Sequence, residues 1–270
     1  MRAITVMGMS GVGKTTLSVN ADKSQWFHYS VDYRIGTRYL GEEISDSLIA
    51  CAMRHPTLAD LLRSDSIYIR SNLSFENLNP LSRWVGKIGD PKKGGLPLDE
   101  FKRRQALHRE AEIRALLDAE RFMHRAAELY GYDNFLIDAG GSIIEVVDVD
   151  NPADDPVLQM LSRISKGLYI EATADLMSAL VERSVQQPKP MYYTPQFLDE
   201  QLDAYQSQSG ITDVNSMDPD GFVRFVIPQL THYRAAKYLK LIKYFGRAVS
   251  SDTTKTIDTS AKFEALLETL

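Results

Sequence analysis

A glycine-rich stretch near the start of the chain carries the clearest chemistry in the sequence. Residues 8–15 read Gly-Met-Ser-Gly-Val-Gly-Lys-Thr, the pattern G-x-x-x-x-G-K-[ST], and follow a short apolar run. The glycines let backbone N–H groups surround a phosphate, the lysine reaches the β- and γ-phosphates, and the threonine hydroxyl ligates Mg²⁺. The alternative is a glycine turn that matches by chance. We expect ATP and Mg²⁺ as cofactors, with these nucleotide-binding residues: Gly8, Met9, Ser10, Gly11, Val12, Gly13, Lys14, Thr15 and Thr16.

An aspartate follows the next predicted strand. Segment 25–31 is rich in aromatic residues and leads directly to Asp32. Ligands of open α/β sheets bind at the carboxyl ends of the strands. Asp32 is therefore a candidate catalytic base for a substrate hydroxyl, and the alternative is a helix N-cap or turn aspartate.

A second aspartate ends the predicted strand 133–138. Apolar residues followed by an acid, beside a phosphate loop, form the Walker-B arrangement, so Asp138 and Thr15 would hold Mg²⁺. Gly140 and Gly141 come next and would let the backbone approach a substrate. The alternative is a Gly-Gly turn without a ligand.

A proline-studded segment at 186–195 contains one lysine that could act in catalysis. The prolines predict a stiffened lid, and Lys189 would bring positive charge onto the transferring phosphate. A surface linker with a solvated lysine is the alternative. The arginines and glutamates of 98–130 predict, for most of them, an exposed helix face with ion pairs.

The elements that must position these residues follow from the apolar patterns. Predicted strands lie at 3–8, 25–31, 133–138, 168–172 and 245–250. Predicted helices lie at 14–22, 44–53, 58–62, 98–130, 174–185, 231–243 and 261–270. Asp99 and Gly131 are the expected ends of the longest helix, residues 71–98 read as a long loop or small irregular subdomain, and 252–254 read as a turn.

Strands separated by helices predict an α/β fold. We expect a three-layer P-loop NTPase fold, with a five-stranded parallel sheet, helices on both faces and mostly helical insertions. The chain would form a single domain over 1–270. Within it, 36–130 would be a helical insertion and substrate-binding subdomain, and 186–230 a lid and second insertion.

Composition narrows the class of protein. The chain has 270 residues, a net charge of −5 and one cysteine, Cys51. The charge argues against broad nucleic-acid binding, and a single cysteine excludes an intramolecular disulfide. No apolar run is long enough to span a bilayer, and the N-terminus lacks the apolar core of a signal peptide. We expect a cytoplasmic protein without a membrane partner.

The order of these features resembles the shikimate kinase family of nucleoside-monophosphate-kinase-like P-loop kinases. The family's D-x-D-x-x-I segment is similar to residues 30–35, in which Ser30 replaces the first acid and Asp32 stands at the second. The resemblance implies that Asp32 meets the substrate hydroxyl. It also implies that Gly140 and Gly141 form the substrate turn.

Further motifs resemble that family on its helices and lid. Residues 103–112 are similar to G-E-x-x-F-R-x-x-E, which implies that Arg109 binds a substrate carboxylate. Residues 234–238 match R-x-x-x-Y and imply the same role for Arg234. Arg183 resembles the family's adenine-side arginine. Lys189 stands at the arginine position of the family's R-P-L lid motif, where lysine keeps the positive charge but lacks the planar guanidinium group.

These features predict an ATP-dependent kinase that phosphorylates the hydroxyl of a small polar metabolite, with a carboxylated acceptor as one option. One alternative is a regulatory P-loop ATPase that signals its nucleotide state to a protein partner through the insertions. Another is a kinase acting on a nucleotide or a nucleic-acid end, which the acidic net charge disfavours.

Overall fold

A five-stranded parallel sheet forms the centre of the computed structural model, which describes residues 1–270. The strand order is β2-β3-β1-β4-β5, and all four strand pairs are parallel. The strands are β1 Arg2–Met7, β2 Trp26–Ser30, β3 Asn134–Asp138, β4 Lys166–Glu171 and β5 Arg247–Ser250. The predicted α/β class and five-stranded parallel sheet are confirmed, and the strand order is consistent with a P-loop NTPase-like fold.

Helical segments connect and cover the strands. The α-helices are α1 Lys14–Val19, α2 Val31–Arg34, α3 Gly41–Ala52, α4 Pro56–Arg63, α5 Asn79–Val85, α6 Leu98–Tyr130, α7 Ile143–Val146, α8 Pro156–Ile164, α9 Ala174–Gln186, α10 Pro195–Ser209, α11 Pro219–Tyr244, α12 Ser251–Lys255 and α13 Ser260–Leu267. A π-helical turn spans Ile35–Tyr39, and 3₁₀ turns span Pro91–Lys93 and Val214–Ser216. None of the helices combines the length and hydropathy that a membrane span requires.

Burial along the strands shows that both faces of the sheet are covered. Side chains of successive strand residues point to opposite faces. In the central strand β1, all residues from Ala3 to Met7 are nevertheless buried, and the same holds for residues 135–138 of β3 and 167–170 of β4. Strands buried on both faces read as continuous apolar runs, which is why the sequence revealed them.

Several helix boundaries in the structure differ from those predicted from the sequence. Helix α6 covers the predicted 98–130 and ends at Gly131, but its N-cap is Pro97, the last extended residue, so the prediction of Asp99 was wrong. Residues 71–98 contain the helix α5, and 252–254 belong to the short helix α12 rather than to a turn. The predicted helix 231–243 is the second half of α11, which Asp218 caps and which continues through Pro228.

Two hydrophobic clusters hold the chain together. The main core surrounds the sheet and includes the second half of α11. A second cluster of ten buried residues joins segments from both predicted insertions; it consists of Ile88, Phe101, Tyr193, Phe197, Leu198, Leu202, Met217, Phe222, Val226 and Leu230. The two insertions therefore pack against each other as well as against the sheet.

Candidate functional site

The loop between β1 and α1 presents free amide donors. Gly13 is the N-cap of α1 and has a φ of 103°, which L side chains rarely adopt. Within residues 10–13, only Val12 donates its backbone N–H to another residue, the carbonyl oxygen of Met9 at 3.4 Å. The amides of Ser10, Gly11 and Gly13 remain available, and all three residues line a large cavity. Free amides at a helix start are a suitable environment for phosphate.

Lys14 is held at the same loop. Its side chain is buried, and Nζ donates hydrogen bonds to the carbonyl oxygens of Gly8 at 2.8 Å and Met9 at 3.2 Å. Burial lowers the pKa of the ammonium group, while Asp138 and Asp32 act in the opposite direction. The lysine therefore lies between the phosphate-binding loop and two carboxylates.

The pairing of β2 with β3 brings the two aspartates together. Ser30 lies opposite Asp138 in the parallel ladder, so the chain leaving β2 passes the end of β3. Ser30 also caps α2, because its hydroxyl accepts a hydrogen bond from Tyr33 N at 3.3 Å. The interpretation of Asp32 as a helix N-cap was therefore wrong. The Asp32 carboxylate is half-buried and forms no hydrogen bond or ion pair with another residue.

Gly140 lies in close contact with the Asp32 carboxylate. Its φ is 72°, and a Cβ built on it would lie 2.6 Å from Oδ1 of Asp32. Neighbouring Gly141 lies against Ser10 of the phosphate-binding loop, with its own Cβ position 3.3 Å from Ser10 N. The Gly-Gly turn predicted from the sequence is thus the element that lets the loop and Asp32 approach β3.

The environment of Asp32 shifts its acidity toward neutrality. Burial raises its pKa to about 6, the charge of Asp138 adds to this effect, and Lys14 opposes it. A carboxyl group with this pKa is mostly ionised at pH 7 and still basic enough to accept a proton.

Thr15 and Asp138 offer the oxygen donors that Mg²⁺ prefers. Both line the large cavity, and Asp138 takes part in no ion pair, although its Oδ1 accepts a hydrogen bond from Gly140 N at 3.2 Å. The chain has no group of three or more side chains arranged to ligate a metal. Since protein-bound Mg²⁺ commonly takes one or two side chains plus phosphate and water, these two residues fit its needs beside a nucleotide.

Three cavities meet around the loop. The large cavity, about 700 Å³, extends from the loop along α1 and the ends of β2 and β3. The lid cavity, about 150 Å³, is lined by Gly11, Arg183, Lys189 and Arg234 among others. The small cavity, about 180 Å³, is lined by Ser10, Asp32, Leu78, Leu81, Ser82, Val85, His108, Gly141, Ser142, Pro190, Met191, Tyr192 and Arg234.

The two arginines that the family resemblance assigns to a carboxylate lie in different surroundings. Arg109 is exposed and lines none of these cavities, whereas the preceding residue, His108, is buried and lines the small cavity. Arg234 is buried and lines both the small and the lid cavity, but its Nε donates a hydrogen bond to Oε1 of Glu145 at 2.6 Å. The structure therefore leaves Arg109 apart from the other predicted residues.

A buried polar cluster beneath the small cavity escaped the sequence analysis. Glu112 is fully buried and accepts hydrogen bonds from the Ser142 hydroxyl at 2.9 and 2.8 Å, and His108 Nδ1 lies 3.6 Å from Glu112 Oε2. We expected most glutamates of 98–130 to be exposed. Their spacing in the sequence could have predicted this burial. Gln105, His108 and Glu112 lie on the same face of the helix as the apolar residues Phe101 and Ala115.

Burial dominates the acidity of this cluster. It raises the pKa of Glu112 well above its usual range, with a contribution from Asp32. It raises the pKa of Glu145 to about 7, an effect that Arg234 opposes. It lowers the pKa of His108 to about 4, together with the nearby charge of Arg234.

The proline-studded segment is only partly free. Lys189 is exposed, but Tyr192 and Tyr193 are buried. The Gln105 side chain donates to Met191 O at 3.2 Å and accepts from Tyr193 N at 2.9 Å. A moving lid, if the chain uses one, is therefore confined to the part before Met191.

Comparisons with protein-family models and with curated proteins find no match to this chain. The strand order and the geometry of the site are the observations from which a function can be argued.

Proposed function

We propose that this chain transfers the terminal phosphoryl group of ATP to a hydroxyl group of a small metabolite. The observation that carries the proposal is the Asp32 carboxylate, unpartnered and half-buried, beside Lys14, Asp138 and a loop with free amides. A loop that only bound nucleotide would not need a second, unpaired carboxylate at this place.

The proposed step is a direct displacement at phosphorus. Asp32 accepts the proton of the acceptor hydroxyl, whose oxygen forms a bond to the γ-phosphorus while the bond to the β-phosphate oxygen breaks. ADP leaves, and the acceptor becomes a phosphate monoester. Lys14 and the free amides neutralise the phosphate oxygens, Mg²⁺ held at Thr15 and Asp138 would add charge neutralisation, and catalysis would come mostly from positioning.

The exposed cations of the lid cavity support the same proposal. Arg183 Nη2 lies 3.7 Å from the Cβ position of Gly11, and Lys189 lines the same cavity. Both side chains therefore lie beside the phosphate-binding loop, where they could reach phosphate oxygens. The finer proposal of a shikimate kinase-like enzyme rests on Asp32 and on the Gly-Gly turn, but receives no support from the position of Arg109.

The test measures ADP release from MgATP with a panel of sugars, polyols, hydroxy acids and nucleosides. We expect one class of acceptor to accelerate ADP release and to become phosphorylated. Lys14→Ala should lower this rate at least about 100-fold, because it removes the positive charge that the proposal places on the transferring phosphate. The matched control is Lys262→Ala, which removes an exposed lysine of α13.

Two results would contradict the proposal. One is ADP release at the same rate with every acceptor, accelerated only by a protein partner, which would indicate a regulatory ATPase. The other is full activity of Lys14→Ala. Phosphorylation of a nucleotide or of a nucleic-acid end alone would redirect the proposal to that substrate class.

A further inference from the structure

Resting on the phosphoryl transfer proposed above, we infer that the acceptor binds in the small cavity as an uncharged polyol or sugar. We further infer that the buried Glu145–Arg234 ion pair makes this cavity discriminate against carboxylates. The inference departs from the carboxylated acceptor that the family resemblance implies.

The small cavity lies where an acceptor must lie. Asp32, Ser10 and Gly141 line both this cavity and the large one, so the two spaces meet at the candidate base and the phosphate-binding loop. Its volume of about 180 Å³ equals the space of about six water molecules in the liquid. A compound of this size with one hydroxyl near Asp32 fits; a nucleotide does not.

The charges around the small cavity do not favour an anion. Arg234 is the only lysine or arginine that lines it. Its guanidinium is committed to the buried carboxylate of Glu145 at 2.6 Å and to the carbonyl oxygen of Tyr192 at 3.2 Å. Asp32 then leaves a net negative charge facing the cavity. An incoming carboxylate would lose its hydration without gaining a free cation, which is unfavourable.

The remaining polar groups suit hydroxyl groups. The imidazole of His108 is buried, lines the cavity and forms no hydrogen bond with another residue. Its lowered pKa keeps the ring neutral, so it offers one donor and one acceptor. Ser142, whose hydroxyl donates to Glu112, and Arg234, whose Nη1 bonds to no other residue, also line the cavity, and Leu81 and Val85 supply an apolar wall. A neutral imidazole and a hydroxyl group beside apolar surface match the polar and apolar sides of a polyol or sugar.

The experiment compares neutral and carboxylated compounds as matched pairs, namely glycerol with glycerate and glucose with gluconate. Binding is measured calorimetrically on the full chain saturated with MgADP, so that the phosphate-binding loop is occupied. The same pairs are compared as acceptors by kcat/KM. We expect the wild-type chain to prefer a neutral member by about tenfold or more, because like charges at a desolvated site oppose binding.

Glu145→Gln supplies the decisive variant. It leaves the Arg234 guanidinium without its carboxylate, so the preference should shift by about tenfold or more toward the carboxylated member. The matched control is Glu145→Gln combined with Arg234→Gln, in which both charges are absent and the shift should disappear. If Glu145→Gln fails to fold, the wild-type comparison and Arg234→Gln alone, which should weaken carboxylate binding further, decide the question.

Preference of the wild-type chain for the carboxylated member of either pair would overturn the inference, and so would an unchanged preference in Glu145→Gln. Binding of neither neutral compound would also count against it. The binding measurement does not require turnover. A neutral preference without any ADP formation would therefore leave the charge selectivity standing and reject the phosphoryl transfer instead.

Discussion

At the scale of single residues, Asp32 shows how surroundings turn a common side chain into a candidate base. Ser30 takes the capping role at the start of α2, so the aspartate two residues later makes no local hydrogen bond. Burial and Asp138 then raise its pKa to about 6. The side chain is both free and only weakly acidic, which is the combination that general base catalysis requires.

Replacing Asp32 tests this directly. We expect Asp32→Asn to lower kcat by about 10²- to 10⁴-fold, the usual contribution of general base catalysis, with little change in MgATP affinity. The wild-type rate should fall as the pH drops through about 6, because the raised pKa means that protonation inactivates the base there. Asp32→Asn should lack this acidic limb. A wild-type rate that is flat between pH 5 and 8 would remove Asp32 from the mechanism.

The contact between Gly140 and Asp32 gives a second prediction. Gly140→Ala and Gly131→Ala introduce the same side chain at φ values of 72° and 70°, so both should lose about 1–2 kcal/mol of stability from the left-handed backbone. Only at Gly140 does the new methyl group meet a carboxylate, 2.6 Å away, whereas the Cβ at Gly131 meets nothing within 4 Å.

Phosphoryl transfer should therefore separate the two glycine variants. A displacement of about 1 Å at a reacting group can cost about 100-fold in rate, and we expect a loss of this order in Gly140→Ala alone. Urea unfolding and ADP release measured on both proteins provide the comparison. Equal activities in the two variants would show that the position of Asp32 tolerates this shift.

At the scale of elements, α6 fastens the segment that carries the predicted lid. The amide of Gln105 bonds to the backbone of Met191 and Tyr193, and the ring of His108 stacks on Tyr192 with centroids 5.0 Å apart. The same helix thus holds residues 191–193 and lines the small cavity. Movement of Lys189 is expected to leave the cavity wall at Met191 and Tyr192 in place.

Gln105→Leu should release this attachment. The substitution leaves the buried N–H of Tyr193 and the carbonyl oxygen of the half-buried Met191 without their Gln105 partner, which costs about 1–3 kcal/mol in the free energy of unfolding. Chymotrypsin should then cleave near Tyr192 and Tyr193 faster than in the wild type. The control Gln196→Leu changes an exposed glutamine that bonds only to Glu200, and should leave both measurements unchanged. Cleavage at the wild-type rate in Gln105→Leu would show that other contacts hold the segment.

At the scale of the whole molecule, two long helices join the two hydrophobic clusters. α6 contributes Phe101 to the second cluster and Ala115 to the main core, and α11 contributes Phe222 and Tyr238 in the same way. Because each of these helices packs into both clusters, unfolding of one cluster removes contacts that also hold the helix in the other cluster. We therefore expect the clusters to unfold together.

Phe222→Ala tests the coupling of the clusters. Phe222 is fully buried, so truncation should lower the free energy of unfolding by about 3–5 kcal/mol. Far-UV and near-UV circular dichroism should still report one coincident transition in urea. Phe75→Ala, at a phenylalanine that is 45% exposed, is the control with a much smaller loss. Two separate transitions in Phe222→Ala would show instead that the insertions form an independent folding unit.

Features that depend on local pattern could be predicted from the sequence. They include the glycine loop, the apolar strands and the 33 residues of α6. Each of these features shows in residues that are neighbours in the sequence, through turn-forming glycines or through the spacing of apolar residues. Asp32 and Asp138 were identified for the same reason, since Asp138 ends its strand and Asp32 follows the end of its strand by two residues.

The set of side chains that faces the small cavity could not be predicted in the same way, because it depends on contacts between distant segments. Arg234 and Glu145 are 89 positions apart, and Gln105 and Tyr193 are 88 apart, so no local pattern links them. The resemblance assigned Arg109 to the substrate, yet one helical position separates an exposed side chain from the buried His108, because each residue turns about 100° around the helix axis. Charge pairing across such distances is set by how helices pack, and it determines whether an arginine is free to bind a ligand.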